Sequence, residues 1–102
     1  MNSGIQEEIV RRIREAVSPE KIILFGSAAR GDARPDSDLD ILVVKSGVHR
    51  RRLAMDLYEL LAGIGQGVDI VVVTPDDLEQ FKDCHSMVIE SALREGKVLY
   101  AA

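Results

Sequence analysis

Asp38 and Asp40 open an apolar run, Asp38-Leu39-Asp40-Ile41-Leu42-Val43-Val44. Side chains at i and i+2 of a strand face the same way. The two carboxylates therefore stand side by side, with Leu39, Ile41 and Val43 on the opposite face. Ionised carboxylates that close repel each other, and both stay ionised readily only with a cation between them. A third carboxylate, Asp69, sits alone in Val68-Asp69-Ile70-Val71-Val72-Val73. Asp is depleted in strands and costly to bury unpaired, and a metal shared with Asp38 and Asp40 would account for it. Oxygen-only ligands favour Mg²⁺, or Mn²⁺, over zinc. Ahead of this pair, Gly26-Ser27 ends another apolar run, and ten residues, Ala28 to Ser37, lie between. Glycine at a strand-to-helix turn lets the backbone approach a ligand, and N–H groups of the following turn can receive phosphate oxygens. Ser27 can donate its hydroxyl there, and Arg30 can neutralise charge. Phosphates beside metal-binding carboxylates suggest phosphoryl or nucleotidyl transfer by in-line displacement. Taken singly, each piece has a plainer reading. Asp38 and Asp40 suit a solvated turn, Gly26-Ser27 an ordinary turn, and Asp69 a strand-end carboxylate bonded to nearby backbone. The combination points to chemistry.

The elements that must position these residues alternate helix and strand, with turn-formers between them. Ile5, Ile9, Ile13, Ala16 and Val17 recur at helical spacing, predicting a helix over about residues 4–17, with Ser3 and Gln6 as a capping box. Lys21–Phe25, Leu39–Val44 and Val68–Val73 read as strands, and residues 31–37 as a loop. A helix is predicted over 49–64, with Leu53, Leu57, Leu60, Leu61 and Ile64 on one face. Thr74-Pro75-Asp76-Asp77 reads as a helix start. A last helix is predicted over about 85–94, with Gly96 as its cap, then a short edge strand over 97–100. If Gly26-Ser27 meets the start of the second strand, strands one and two are antiparallel. If the starts of strands two and three meet, those two are parallel, joined by a helical crossover. The expected class is α/β (α+β), a mixed sheet of three to four strands flanked by helices, in a single domain over 1–102.

Composition narrows the choice. The chain has 102 residues, 46% hydrophobic and 29% charged, as in an ordinary soluble domain. No apolar run approaches the roughly 20 residues that span a bilayer, and Met1 to Gln6 lacks a signal-peptide pattern. A single cysteine, Cys84, fits a reducing cytoplasm. Net charge is −4, whereas a domain that grips nucleic acid is normally basic. The balance is uneven: residues 1–52 carry +2 and residues 53–102 carry −6. Gly63-Ile64-Gly65-Gln66-Gly67 imitates a dinucleotide loop, but it follows a helix and precedes a strand, so it reads as a helix stop. His49-Arg50-Arg51-Arg52 reads as a solvated helix start; a docking or RNA-contacting patch is the other reading. Cys84 and His85 read as structural, and Tyr58 and Tyr100 as packing residues.

Gly26-Ser27-Ala28-Ala29-Arg30-Gly31, then Ser37-Asp38-Leu39-Asp40-Ile41, then Val68-Asp69-Ile70-Val71 resembles the nucleotidyltransferase superfamily that includes DNA polymerase beta. The small size and the ending Glu95-Gly96-Lys97-Val98-Leu99-Tyr100 are similar to its minimal, MntA-like members. The resemblance spans roughly residues 5 to 100. It implies that Asp38 and Asp40 bind two Mg²⁺ ions, and that Asp69 binds the catalytic metal and helps deprotonate the attacking hydroxyl. It implies that Gly26 and Ser27 hold the β- and γ-phosphates of ATP; Arg30 matches the family's loop arginine. Larger members carry a further helical domain, so the resemblance implies a partner that completes the site: a helical HEPN-domain toxin, adenylylated on a tyrosine by its antitoxin. Two alternatives stand beside this expectation. One is a binding module that neutralises a HEPN partner by contact alone; the other is an enzyme acting on a small molecule such as an aminoglycoside, or on an RNA end.

Overall fold

In a computed structural model of the chain, residues 3–31, 34, 37–81 and 87–102 are described. They form α1 (Ser3–Val17), β1 (Lys21–Phe25), α2 (Gly26–Arg30), β2 (Leu39–Val44), α3 (Arg50–Leu61), β3 (Val68–Val73), α4 (Pro75–Phe81), α5 (Met87–Glu95) and β4 (Lys97–Ala101). The sheet order is β3-β2-β1-β4. β1 is antiparallel to both β2 and β4, and β2 is parallel to β3. The expected mixed sheet is therefore present, with α3 as the crossover between the parallel pair. β4 adds the edge strand read at the chain's end.

Alternation along each strand feeds two cores. Ile22 and Leu24 of β1, Leu39, Ile41 and Val43 of β2, and Ile70 and Val72 of β3 pack with Ile9 and Ile13 of α1 and Leu53, Leu57 and Leu61 of α3. On the other face, Ile23, Phe25, Leu42, Val44 and Val73 pack with Ile89 and Ala92 of α5. Asp40 and Asp69 have the parity of this second face, beyond the end of its apolar cluster. The three strand runs are apolar on both faces because helices cover both sides of the sheet.

The helices differ from expectation at their ends. α3 starts at Arg50, with His49 as its cap: His49 Nδ1 accepts the Arg52 N–H at 3.3 Å. It stops at Leu61 rather than residue 64, because Ala62 turns to φ −59, ψ 138. Ile64 still packs against the first core from the loop. Ser3 lies within α1, so the capping box read there does not precede the helix. Thr74 and Asp77 form one instead: Thr74 N–H donates to Asp77 Oδ2 at 2.9 Å, and Asp77 N–H to Thr74 Oγ1 at 3.1 Å. Cys84, His85 and the first residues of the expected last helix lie outside the described residues, as do Asp32, Ala33, Pro35 and Asp36 of the loop.

Candidate active site

The strand register gathers the residues. Phe25 pairs with Asp40 across β1 and β2, and Asp40 pairs with Asp69 across β2 and β3. Gly26 follows Phe25 directly, so the β1–α2 turn, Asp40 and Asp69 form one row across three strands. Gly26 has φ +70, and a Cβ there would overlap Asp40 Oδ2. Glycine is required twice over, for the backbone conformation and for the carboxylate that lies against it. Ser27 is the second residue of the short α2, which is capped by Gly31 in the left-handed conformation.

Asp38 has a matching glycine. A Cβ at Gly67 would overlap Asp38 Oδ1. The loop before β3 is tied to the loop before β2 by Gln66 Nε2, which donates to Ser37 O at 2.9 Å. Leu39 N–H donates to Gly67 O at 2.9 Å. Ser37 also closes its own turn, its hydroxyl accepting the Arg34 N–H at 3.0 Å. The 63–67 segment thus does more than stop α3. It seats Asp38, a role its sequence did not suggest because the contact is made with a loop about thirty residues away.

Asp40 is half-buried, whereas Asp38 and Asp69 are exposed. Burial foremost, then the charges of Asp69 and Asp38, pushes the Asp40 carboxyl above its ordinary value, with Arg30 acting in the opposite sense. Asp69, Asp38 and Arg30 are therefore each close enough to act on Asp40. Arg30 Nη1 also meets Glu95 Oε2 of α5 at 3.3 Å.

Asp69 is held by a residue read from sequence as packing. Tyr58 of α3 donates its hydroxyl to Asp69 Oδ1 at 2.9 Å and accepts the Ile70 N–H at 2.9 Å. Tyr58 as a whole is 43% exposed, so the packing reading is corrected. The Ile70 N–H favours the phenolate, but burial, the bond to Asp69 and the charges of Asp69 and Asp38 outweigh it and raise the hydroxyl's pKa. An aromatic residue with one polar end looks the same in sequence whether that end meets water or a carboxylate. Tyr100 does pack, lying under the Arg14 guanidinium at 4.4 Å.

Among the described residues, no three His, Cys, Asp or Glu side chains close into a metal cage. The carboxylates form an open row: Asp38 against Gly67, Asp40 against Gly26, Asp69 on Tyr58. Their donor chemistry nonetheless fits a hard divalent cation. All are carboxylate oxygens, and the Asp40 carboxyl is raised by burial first and by the Asp69 and Asp38 charges next, a cost of ionisation that a cation would offset.

A model of the polymerase beta nucleotidyltransferase family matches residues 7–102. The chain belongs to this nucleotidyltransferase family. Two relatives come from Methanocaldococcus jannaschii, both named provisionally as protein adenylyltransferases. The chain is 32% identical to MJ1305 over 88 residues, covering 76% of this chain and 58% of that protein. It is 38% identical to MJ0604 over 82 residues, covering 79% of this chain and 78% of that protein. The match thus spans little more than half the length of MJ1305. The fold is also that of a chain in the complex of tri-AMPylated Shewanella oneidensis HEPN toxin with MNT antitoxin. That chain has a TM-score of 0.69 and 19% identity, the match covering 100% of this chain and 74% of that one.

Around the candidate site the remaining sequence candidates separate. Arg50 of the basic helix start meets Asp77 Oδ2 at 3.2 Å, tying α3 to α4 away from the carboxylate row. Among the described residues, no helix is long and apolar enough to cross a membrane.

Proposed function

We propose that the chain transfers AMP from ATP to a hydroxyl of a partner protein, a tyrosine of a HEPN toxin, and so acts as its cytoplasmic antitoxin. The observation that carries the reading is the row Phe25–Asp40–Asp69, which brings the Gly26-Ser27 turn beside two strand carboxylates. Family membership, the adenylyltransferase names of the two relatives and the antitoxin-complex fold support it.

Asp38, Asp40 and Asp69 would hold two Mg²⁺ ions, with Mn²⁺ able to replace them. When bound, the ions neutralise phosphate charge and polarise the α-phosphate. The Gly26 and Ser27 N–H groups and the Ser27 hydroxyl would hold the β- and γ-phosphates. Arg30 adds positive charge at the end of α2. Asp69 takes the proton of the attacking tyrosine hydroxyl. The tyrosine O–P bond forms as the bond between the α-phosphorus and the bridging oxygen breaks, and pyrophosphate leaves.

The test is mass spectrometry of the co-expressed helical partner, with wild-type chain and with Asp38→Asn/Asp40→Asn. The expected result is a gain of one or more AMP units with wild type and none with the double variant. A stable complex with no mass gain from either form would replace transfer by neutralisation through contact.

A further inference from the structure

We infer that Tyr58 is a positioning residue for the nucleotidyltransferase site, fixing the Asp69 carboxylate through a hydrogen bond that is itself anchored to the β3 backbone. The inference deepens the proposed function and rests on its assignment of Asp69 to the metal site. Tyr58 O makes both of its bonds at 2.9 Å, donating to Asp69 Oδ1 and accepting from Ile70 N–H. A phenol has one proton, and here it goes to the carboxylate. The Ile70 N–H holds the oxygen to the strand that carries Asp69, so phenol and carboxylate move together. Without this bond an exposed strand aspartate samples several rotamers. With it, Oδ1 is fixed, one lone-pair site of the carboxylate is used, and Oδ2 remains to serve as a ligand. Hydrogen-bond partners of metal-binding carboxylates orient them in this way, and losing one typically costs about 10–100-fold in metal affinity or activity.

The same hydroxyl could be imagined as an acceptor of the nucleotide, since it touches the carboxylate assigned as base. The Ile70 N–H argues against that. It occupies a lone pair of the oxygen and withdraws electron density from the atom that would attack.

Mn²⁺ titration of the full chain by calorimetry, without nucleotide, tests the inference on wild type, Tyr58→Phe and Asp69→Asn, alongside thermal melting. Tyr58→Phe keeps the ring and loses only the hydroxyl. The expected result is Mn²⁺ affinity at least about 10-fold weaker in Tyr58→Phe and weaker still in Asp69→Asn. A merely structural hydroxyl would lower the melting temperature and leave Mn²⁺ affinity unchanged, which overturns the inference but keeps the metal site. A wild-type chain that binds no Mn²⁺ overturns both. ATP-dependent mass gain on Tyr58 itself would make it an acceptor and overturn the positioning role.

Discussion

A methyl group at Gly67 would overlap Asp38 Oδ1, yet the Gly67 backbone lies outside the left-handed region. Gly67→Ala should therefore turn the Asp38 carboxylate aside while costing the fold little, within about 1 kcal/mol. Because a displacement of about 1 Å in a reacting constellation can cost 100-fold, AMP transfer should fall at least about 10-fold at a nearly unchanged melting temperature. Full activity in this variant would show that the seat of Asp38 does not matter. Gly26→Ala differs in a way that makes the pair informative. It adds the strain of φ +70 to the overlap with Asp40 Oδ2. Stability should then drop by about 1–2 kcal/mol together with the activity, and parallel denaturation curves of the two variants separate the effects.

α4 depends on the reciprocal bonds between Thr74 and Asp77, reinforced by Arg50. The Thr74 N–H foremost, and the Arg50 charge, hold the Asp77 carboxyl below its ordinary value. A lowered folded value means the ionised form is the one stabilised. That stability is fully present above the unfolded value of about 3.9 and is lost as pH falls through the lower folded value. Asp77→Ala should lower stability by about 1 kcal/mol at neutral pH, as loss of a helix cap does. The melting-temperature gap to wild type should stay constant from neutral pH down to about pH 5 and narrow below about pH 4. A gap that widens in acid would contradict the assignment.

Across the whole molecule, ionising Asp40 costs the fold stability. Burial and the neighbouring Asp69 and Asp38 charges raise the Asp40 carboxyl, so its ionised form weakens the folded state as pH rises past the ordinary carboxylate value. Asp40→Asn should melt higher than wild type at neutral pH in chelator. Mg²⁺ or Mn²⁺ should then raise the wild-type melting temperature and leave the variant where it is. A ligand at about 100 times its Kd contributes about 2.7 kcal/mol, which a thermal-shift titration resolves easily. A melting temperature that falls on Asp40→Asn in chelator would mark the carboxylate as structural.

Periodicity alone determined much of this molecule. The runs at 21–25, 39–44 and 68–73 are apolar enough that burial between helix layers was their evident fate, and the strands fall on those bounds. The antiparallel and parallel pairings followed from requiring the Gly-Ser turn and the three carboxylates to meet. Local chemistry also placed the start of α4, because capping acts within four residues. Tertiary structure decided what depends on contacts between distant segments. It gave Gly67 the task of seating Asp38, from a loop that sequence read as a helix stop. It gave Tyr58 a carboxylate rather than a packing neighbour, because a helix residue can reach a strand edge only once α3 lies against β3. It also left the carboxylates as an open row. The i, i+2 rule fixes which face a side chain takes, whereas its final orientation depends on the glycine, phenol or cation that it meets.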